Sequence, residues 1–251
     1  MKRYRLTVAY DGTNYHGWQE QSSGITIESV LNDALSRVLG EEIHVIGASR
    51  TDAGVHAYGN VAVFDSETRI PGDKISYAVN PYLPDDIRIM ESRETDPDFH
   101  PRFTDSLKTY AYHIRNERIP CPTSRLYAFQ VPVPLDVEAM QEAGKYIVGT
   151  HDFASFCASG AQVKSTVRTV REVCVYRDHQ ASGMGGEIVI RVTGEGFLYN
   201  MVRIIAGTLI KVGKGVYPPE QVGRIIESRD RSKAGDTAPA KGLFLEKIEY
   251  R

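Results

Sequence analysis

The sequence predicts a mixed α/β protein (α+β) built from two ferredoxin-like βαββαβ halves. Three observations lead there: strand-like and helix-like segments alternate in the order βαββαβ over the N-terminal part, a similar order begins again at Lys108, and Gly- or Pro-containing turns punctuate both runs. At 251 residues and 41% hydrophobic composition, the chain is long enough for one large domain or two small ones, each with an ordinary core.

Residues 4–10 alternate partly and are rich in strand formers, so they read as a first strand that ends at the Asp11-Gly12 turn. A helix follows, because Ile27, Val30, Leu31, Ala34, Leu35, Val38 and Leu39 recur at three- and four-residue steps, with Thr26 as cap and Gly40 as stop. Residues 42–48 and 59–65 then read as strands flanking a loop, followed by a helix over 73–79 and a strand over 87–90. In the second run the expected elements are a strand at 109–115, a helix at 137–148, strands at 167–176 and 187–193, helical segments, and a last strand at 243–250. The expected boundary at 104–106 gives an N-terminal half of residues 1–105 and a C-terminal half of 106–251, with a central cleft between them as a frequent place for a site. The Pro-rich stretch 120–134 reads as an ordered loop, and 183–186 as a hairpin turn, since it lacks the Lys-Ser/Thr ending of a phosphate loop.

Composition narrows the functional classes. No stretch approaches membrane-spanning length and the N-terminus lacks an apolar signal core, so the expected location is cytoplasmic, with no membrane partner. Cys121, Cys157 and Cys174 are too few for a disulfide framework and too far apart for a metal knuckle, and the seven histidines show no ligand spacing. No metal is expected. The formal net charge of -2 hides an asymmetry: residues 1–160 hold 15 basic against 22 acidic side chains, whereas residues 161–251 hold 15 against 10. A basic surface for phosphate therefore draws on the C-terminal part, where Arg168, Arg171, Lys211, Lys214, Arg224, Arg229, Arg231 and Lys233 are candidates.

Chemistry points to Ala48-Ser49-Arg50-Thr51-Asp52-Ala53-Gly54-Val55-His56-Ala57. Arg50 and Asp52 are one residue apart, so in an extended segment both project to one side, and Gly54 lets the chain turn back behind them. A positioned acid with a cation beside it suits a nucleophile or base. The same pattern also suits an Asx turn, and the loop alone favours that plainer reading.

The match of two further motifs changes the balance. With Tyr10-Asp11-Gly12-Thr13-Asn14-Tyr15-His16-Gly17-Trp18-Gln19 upstream and Phe197-Leu198-Tyr199-Asn200-Met201-Val202-Arg203 downstream, the chain resembles the tRNA pseudouridine synthase A family nearly end to end. The resemblance implies the pseudouridine synthase fold and isomerisation of uridine to pseudouridine in the anticodon stem-loop of tRNA, at positions 38 to 40. It implies no redox cofactor, no metal, no DNA partner, and a homodimer spanned by the RNA.

Carried over residue by residue, the resemblance makes Asp52 the essential catalytic carboxylate. Three routes suit one carboxylate: addition to the base, attack on the sugar carbon, or removal of a sugar proton to give a glycal. Arg203, an arginine within the apolar run 197–212 where an unpaired guanidinium would be costly, is the expected ionic partner of Asp52. Tyr110, in Lys108-Thr109-Tyr110-Ala111-Tyr112, is expected to stack on the uracil, and Leu243 to lie beside it. Arg50 is expected to meet the RNA and fill the space of an extruded base. Asp11, Tyr15, Gly17 and Trp18 are expected to contact RNA or support the site, with packing as the alternative for the sole tryptophan. The residue Ser49 departs from the glycine frequent in the family before Arg-Thr-Asp. Two rival classes are a noncatalytic tandem RNA-binding protein, whose Lys/Arg-Gly-Phe sheet motif is missing, and a carboxylate hydrolase, which needs a second distinctive acid.

Overall fold

The first strand, β1 (Lys2–Tyr10), buries every second side chain (Tyr4, Leu6, Val8 and Tyr10), as a strand with one face on a core must. The computed structural model describes residues 1–160, 163–178 and 186–251, and its chain groups into two units: Met1–Ser106 with Phe244–Arg251, and Leu107–Leu243.

In the first unit, α1 (Ile27–Leu39) starts and stops where the periodicity predicts. Thr26 and Ser29 form a reciprocal capping box, Ile27, Leu31, Ala34 and Leu35 face the core, and Gly40 closes the helix with φ 73. A cap of this kind contributes about 1 kcal/mol. The remaining elements are β2 (Ile46–Gly47), β3 (His56–Ser66), α2 (Ile75–Val79) and β4 (Ile87–Thr95). β1 lies between β4 and β3, antiparallel to both, and β2 pairs with β3. That arrangement is the ferredoxin-like order expected for a βαββαβ unit.

One prediction in this unit is corrected. The strand expected over 42–48 shrinks to two residues, because α1 captures its backbone donors: Ser36 Oγ accepts from Ile43 N at 2.9 Å and Asn32 Oδ1 from Val45 N at 2.8 Å. Those donors are satisfied without a sheet partner. β3 and β4 in turn run longer than expected, from His56 and to Thr95.

The second unit contains β5 (Ser106–Arg115) from Leu107 onward, β6 (Phe129–Gln130), α3 (Val137–Lys145), β7 (Gly149–Asp152), β8 (Val167–Asp178), β9 (Glu187–Gly194), α4 (Met201–Gly213) and α5 (Gln221–Ser228). Its sheet order among the described residues is β5-β9-β8-β7, antiparallel throughout, with β6 parallel to β5. The helix expected over 137–148 stops at Lys145, since the chain turns into the unpredicted β7 through Gly149 at φ 124. α4 buries side chains nearly all round, from Met201 to Val212, which a core helix does and a surface helix does not. The part of the expected hairpin turn at 183–185 lies outside the described residues.

The last strand, β10 (Leu243–Tyr250), has the predicted bounds. From Phe244 onward it groups with the first unit, parallel to β3 through Phe244 opposite His56 and Leu245 opposite Ala57. A helix longer and more apolar than these would be needed to cross a membrane, and none of the described residues forms one.

Candidate active-site residues

The Arg50-Asp52 loop leaves β2 and returns into β3, and hydrogen bonds hold both its ends. Ala48 N donates to Val61 O at 2.7 Å, Trp18 N to Thr51 O at 3.0 Å, and Gly54 N to Tyr15 O at 3.3 Å. Within the loop Val55 N donates to Asp52 O at 3.1 Å, closing the turn that carries the carboxylate. Thr51 is buried, Asp52 half-buried and Arg50 exposed, so the segment presents one polar edge and anchors the other. The N-terminal motif forms the loop's other wall. Gly17, at φ 86, lies so close that a Cβ there would stand 2.6 Å from Thr51 O. A side chain at position 17 would be strained and would push the loop away.

A buried amide organises the same loop. Asn60, on β3 and fully buried, accepts from Ser49 N at 3.2 Å and donates to Ser49 O at 2.9 Å. Its Nδ2 also donates to Tyr10 Oη at 3.3 Å, and Tyr10 Oη lies 2.7 Å from Thr51 Oγ1. Neither Asn60 nor the Tyr10 hydroxyl stands out in the sequence, although a polar residue just before the apolar run Val61-Ala62-Val63-Phe64 is a signal of a buried hydrogen-bonded group.

The other N-terminal candidates hold the turn after β1 and the packing beneath it. Asp11 caps the turn after β1, accepting from Thr13 N at 3.0 Å, and one of its oxygens lies 3.1 Å from Nδ1 of the buried His56. Trp18 is 1% exposed, lies against Tyr10 at 5.8 Å between ring centroids, and its indole occupies the space a Cβ on Gly47 would need, the packing that the alternative reading of this residue expects. Tyr15 is likewise buried, its hydroxyl donating to Asp86 at 2.5 Å, and burial first, then Asp86, pushes its pKa up. Arg102, in Phe99-His100-Pro101-Arg102-Phe103, has its pKa lowered by burial and then by the charge of Arg50, which makes these two guanidiniums a local basic pair.

In the second unit Tyr110 lies on β5 opposite Val192 of β9, is 9% exposed, and meets the edge of Phe197 at 5.2 Å. Arg203, on α4, is half-buried. Its Nε donates to Ala238 O at 2.8 Å and its Nη1 to Asn200 Oδ1 at 2.7 Å, so the guanidinium is held in one orientation. Asn200 itself adopts φ 60, a left-handed conformation that asparagine tolerates better than most residues, and its side chain serves Arg203 rather than capping the helix. Asn200 is a further residue that sequence reasoning passed over. Leu243 is buried, and Arg168 donates from Nη1 to Ser165 O at 2.9 Å and Val167 O at 2.6 Å, with burial lowering its pKa. Among the described residues no group of three or more His, Cys, Asp or Glu side chains could hold a metal ion.

Residues 6–104 and 143–251 match the family described as tRNA pseudouridine synthase. The chain belongs to this family. Proteins named tRNA pseudouridine synthase A from Ruminiclostridium cellulolyticum and Clostridium acetobutylicum are 50% and 46% identical over 252 and 250 residues, with full coverage of both chains in each case. A relative of the same name from Thermoanaerobacter sp. (strain X514) is 46% identical over 250 residues, again over the whole of both chains. As a pseudouridine synthase family member, the chain contains all three motifs quoted from its sequence within the matched residues.

Proposed function

We propose that this protein is an isomerase that converts uridine to pseudouridine in the anticodon arm of tRNA, at positions 38 to 40, with Asp52 as the essential carboxylate. The reaction breaks the bond from uracil N1 to the sugar C1′, turns the base, and joins C5 to C1′; the C5 proton leaves and N1 gains one. Composition and oxidation state are unchanged, so the chemistry asks for a positioned acid or base and a base-holding surface. The observation that supports this reading most is the full-length similarity to tRNA pseudouridine synthases A together with the loop that holds Asp52 half-buried at its tip.

In this reading Arg203 keeps the carboxylate ionised against the cost of excluding water, Tyr110 stacks on the uracil, and Leu243 lies beside it. Arg50 and Arg168 contact the RNA, joined by the basic residues concentrated after residue 160. The working unit is a homodimer in the cytoplasm, which sedimentation analysis with and without tRNA checks.

The deciding experiment measures tritium release from tRNA labelled at uridine C5. The wild-type protein releases tritium, while Asp52→Asn releases none yet still binds tRNA. Normal turnover by Asp52→Asn overturns the assignment of the carboxylate, and binding with no release by the wild type favours the noncatalytic RNA-binding alternative.

A further inference from the structure

We infer that Asn60, Tyr10 and Thr51 form a positioning relay that sets the geometry of the Asp52 loop; this inference rests on the catalytic role proposed for Asp52. The relay begins at Asn60, whose amide is fully used. Its Oδ1 accepts from Ser49 N at 3.2 Å and Val61 N at 2.9 Å, while its Nδ2 donates to Ser49 O at 2.9 Å and Tyr10 Oη at 3.3 Å. A side-chain amide has two acceptor sites and two donors, so its orientation is set by the network.

Tyr10 carries the relay on to the loop. Tyr10 Oη, which accepts from Asn60 Nδ2, shares a second hydrogen bond with Thr51 Oγ1 at 2.7 Å, in which either hydroxyl can donate. The relay thus grips the loop at two points: Asn60 holds both backbone groups of Ser49, and Tyr10 holds the side chain of Thr51, the residue immediately before Asp52. Asn60 is 0%, Tyr10 5% and Thr51 7% exposed, so water does not compete for these bonds. Three elements meet here: Tyr10 ends β1, Asn60 lies in β3, and Thr51 is in the loop between β2 and β3. Tyr10, Asn60 and Thr51 are positioning residues, since they act through the backbone that carries the carboxylate.

Fixing a reacting group matters because a displacement of about 1 Å can cost on the order of 100-fold in rate. The test uses Tyr10→Phe and Thr51→Val, which remove one hydroxyl each without changing the ring or the branched shape. Both are expected to lower kcat for tRNA about 10-fold with KM within about 2-fold of wild type. The double variant is expected to be no slower than the worse single variant, because both cut the same link. Thr51→Ser, which keeps the hydroxyl, is expected to restore most of the rate. If kcat in Tyr10→Phe and Thr51→Val stays within about 2-fold of wild type, or falls only in proportion to the folded fraction seen by thermal melting, the inference is overturned. Asp52→Asn is run alongside: an active Asp52→Asn defeats the proposed function, whereas an inactive one beside normal Tyr10→Phe and Thr51→Val leaves that function standing and defeats the relay.

Discussion

Arg203 shows how one residue's backbone conformation orients another's side chain. The left-handed φ 60 of Asn200 brings its side-chain oxygen to 2.7 Å from Arg203 Nη1, at the start of the core helix. Asn200→Gly keeps that backbone conformation and deletes the acceptor, so it is expected to lower kcat with an unchanged melting temperature. Asn200→Ala loses the acceptor and also carries left-handed strain of about 1–2 kcal/mol, so both kcat and melting temperature fall. Wild-type kcat in Asn200→Gly would refute this. Ser49 offers the opposite case, since its buried hydroxyl has no hydrogen-bond partner. Ser49→Ala is therefore expected to be neutral or stabilising by up to about 1 kcal/mol in urea unfolding, and a clear loss of stability would contradict that.

At the level of elements, α1 and the N-terminal motif shape the loop by what they allow beside it. Trp18 packs its indole onto β2 at the one place where the strand has no side chain, Gly47. Gly47→Ala puts a methyl group into that ring, and the repacking is expected to cost roughly 1–3 kcal/mol, measured as a lower urea midpoint at constant slope. Unfolding at the wild-type midpoint would show that the indole can move aside. The same helix decides where β2 begins, because Asn32 and Ser36 satisfy Val45 and Ile43. Placement of the Arg50-Asp52 loop is thus downstream of a helix–strand contact that no local pattern announces.

Over the whole molecule, two carboxylates with lowered pKa values shape the acid limb of stability. Asp65 is lowered first by its hydrogen bond from Arg3, and Asp152 first by its hydrogen bond from Thr166. A depressed folded pKa means the folded state binds the proton more weakly than the unfolded chain. The stability each group adds is complete above the ordinary carboxylate value near 4, and disappears as pH falls through the lower folded value. Asp65→Asn and Asp152→Asn are expected to melt lower at pH 7 and to lose less on acidification than wild type. Both side chains are partly exposed, at 34% and 26%, so the effects are modest. An unchanged acid limb in both variants would exclude this account. Charge distribution makes a second molecule-wide prediction: Arg50→Ala and Arg102→Ala each weaken tRNA binding and reduce the salt slope of log K by about 1, as a lost phosphate contact does.

Much of this protein was legible from its residues in order. The bounds of α1 came from three- and four-residue apolar steps between Thr26 and Gly40, and β10 from a strand-like run, because periodicity, caps and turns are short-range effects. The Arg50-Thr51-Asp52 loop and its family came from motifs whose residue types travel together. Tertiary structure alone decided that residues 42–45 leave the sheet, that Trp18 is buried against Tyr10 and Gly47, that β10 joins the first unit from Phe244 onward, and that Asn60 and Asn200 orient neighbouring groups. Each of those outcomes depends on which buried donor finds which acceptor far along the chain, and hydrogen-bond satisfaction in a packed interior is settled only when distant segments meet.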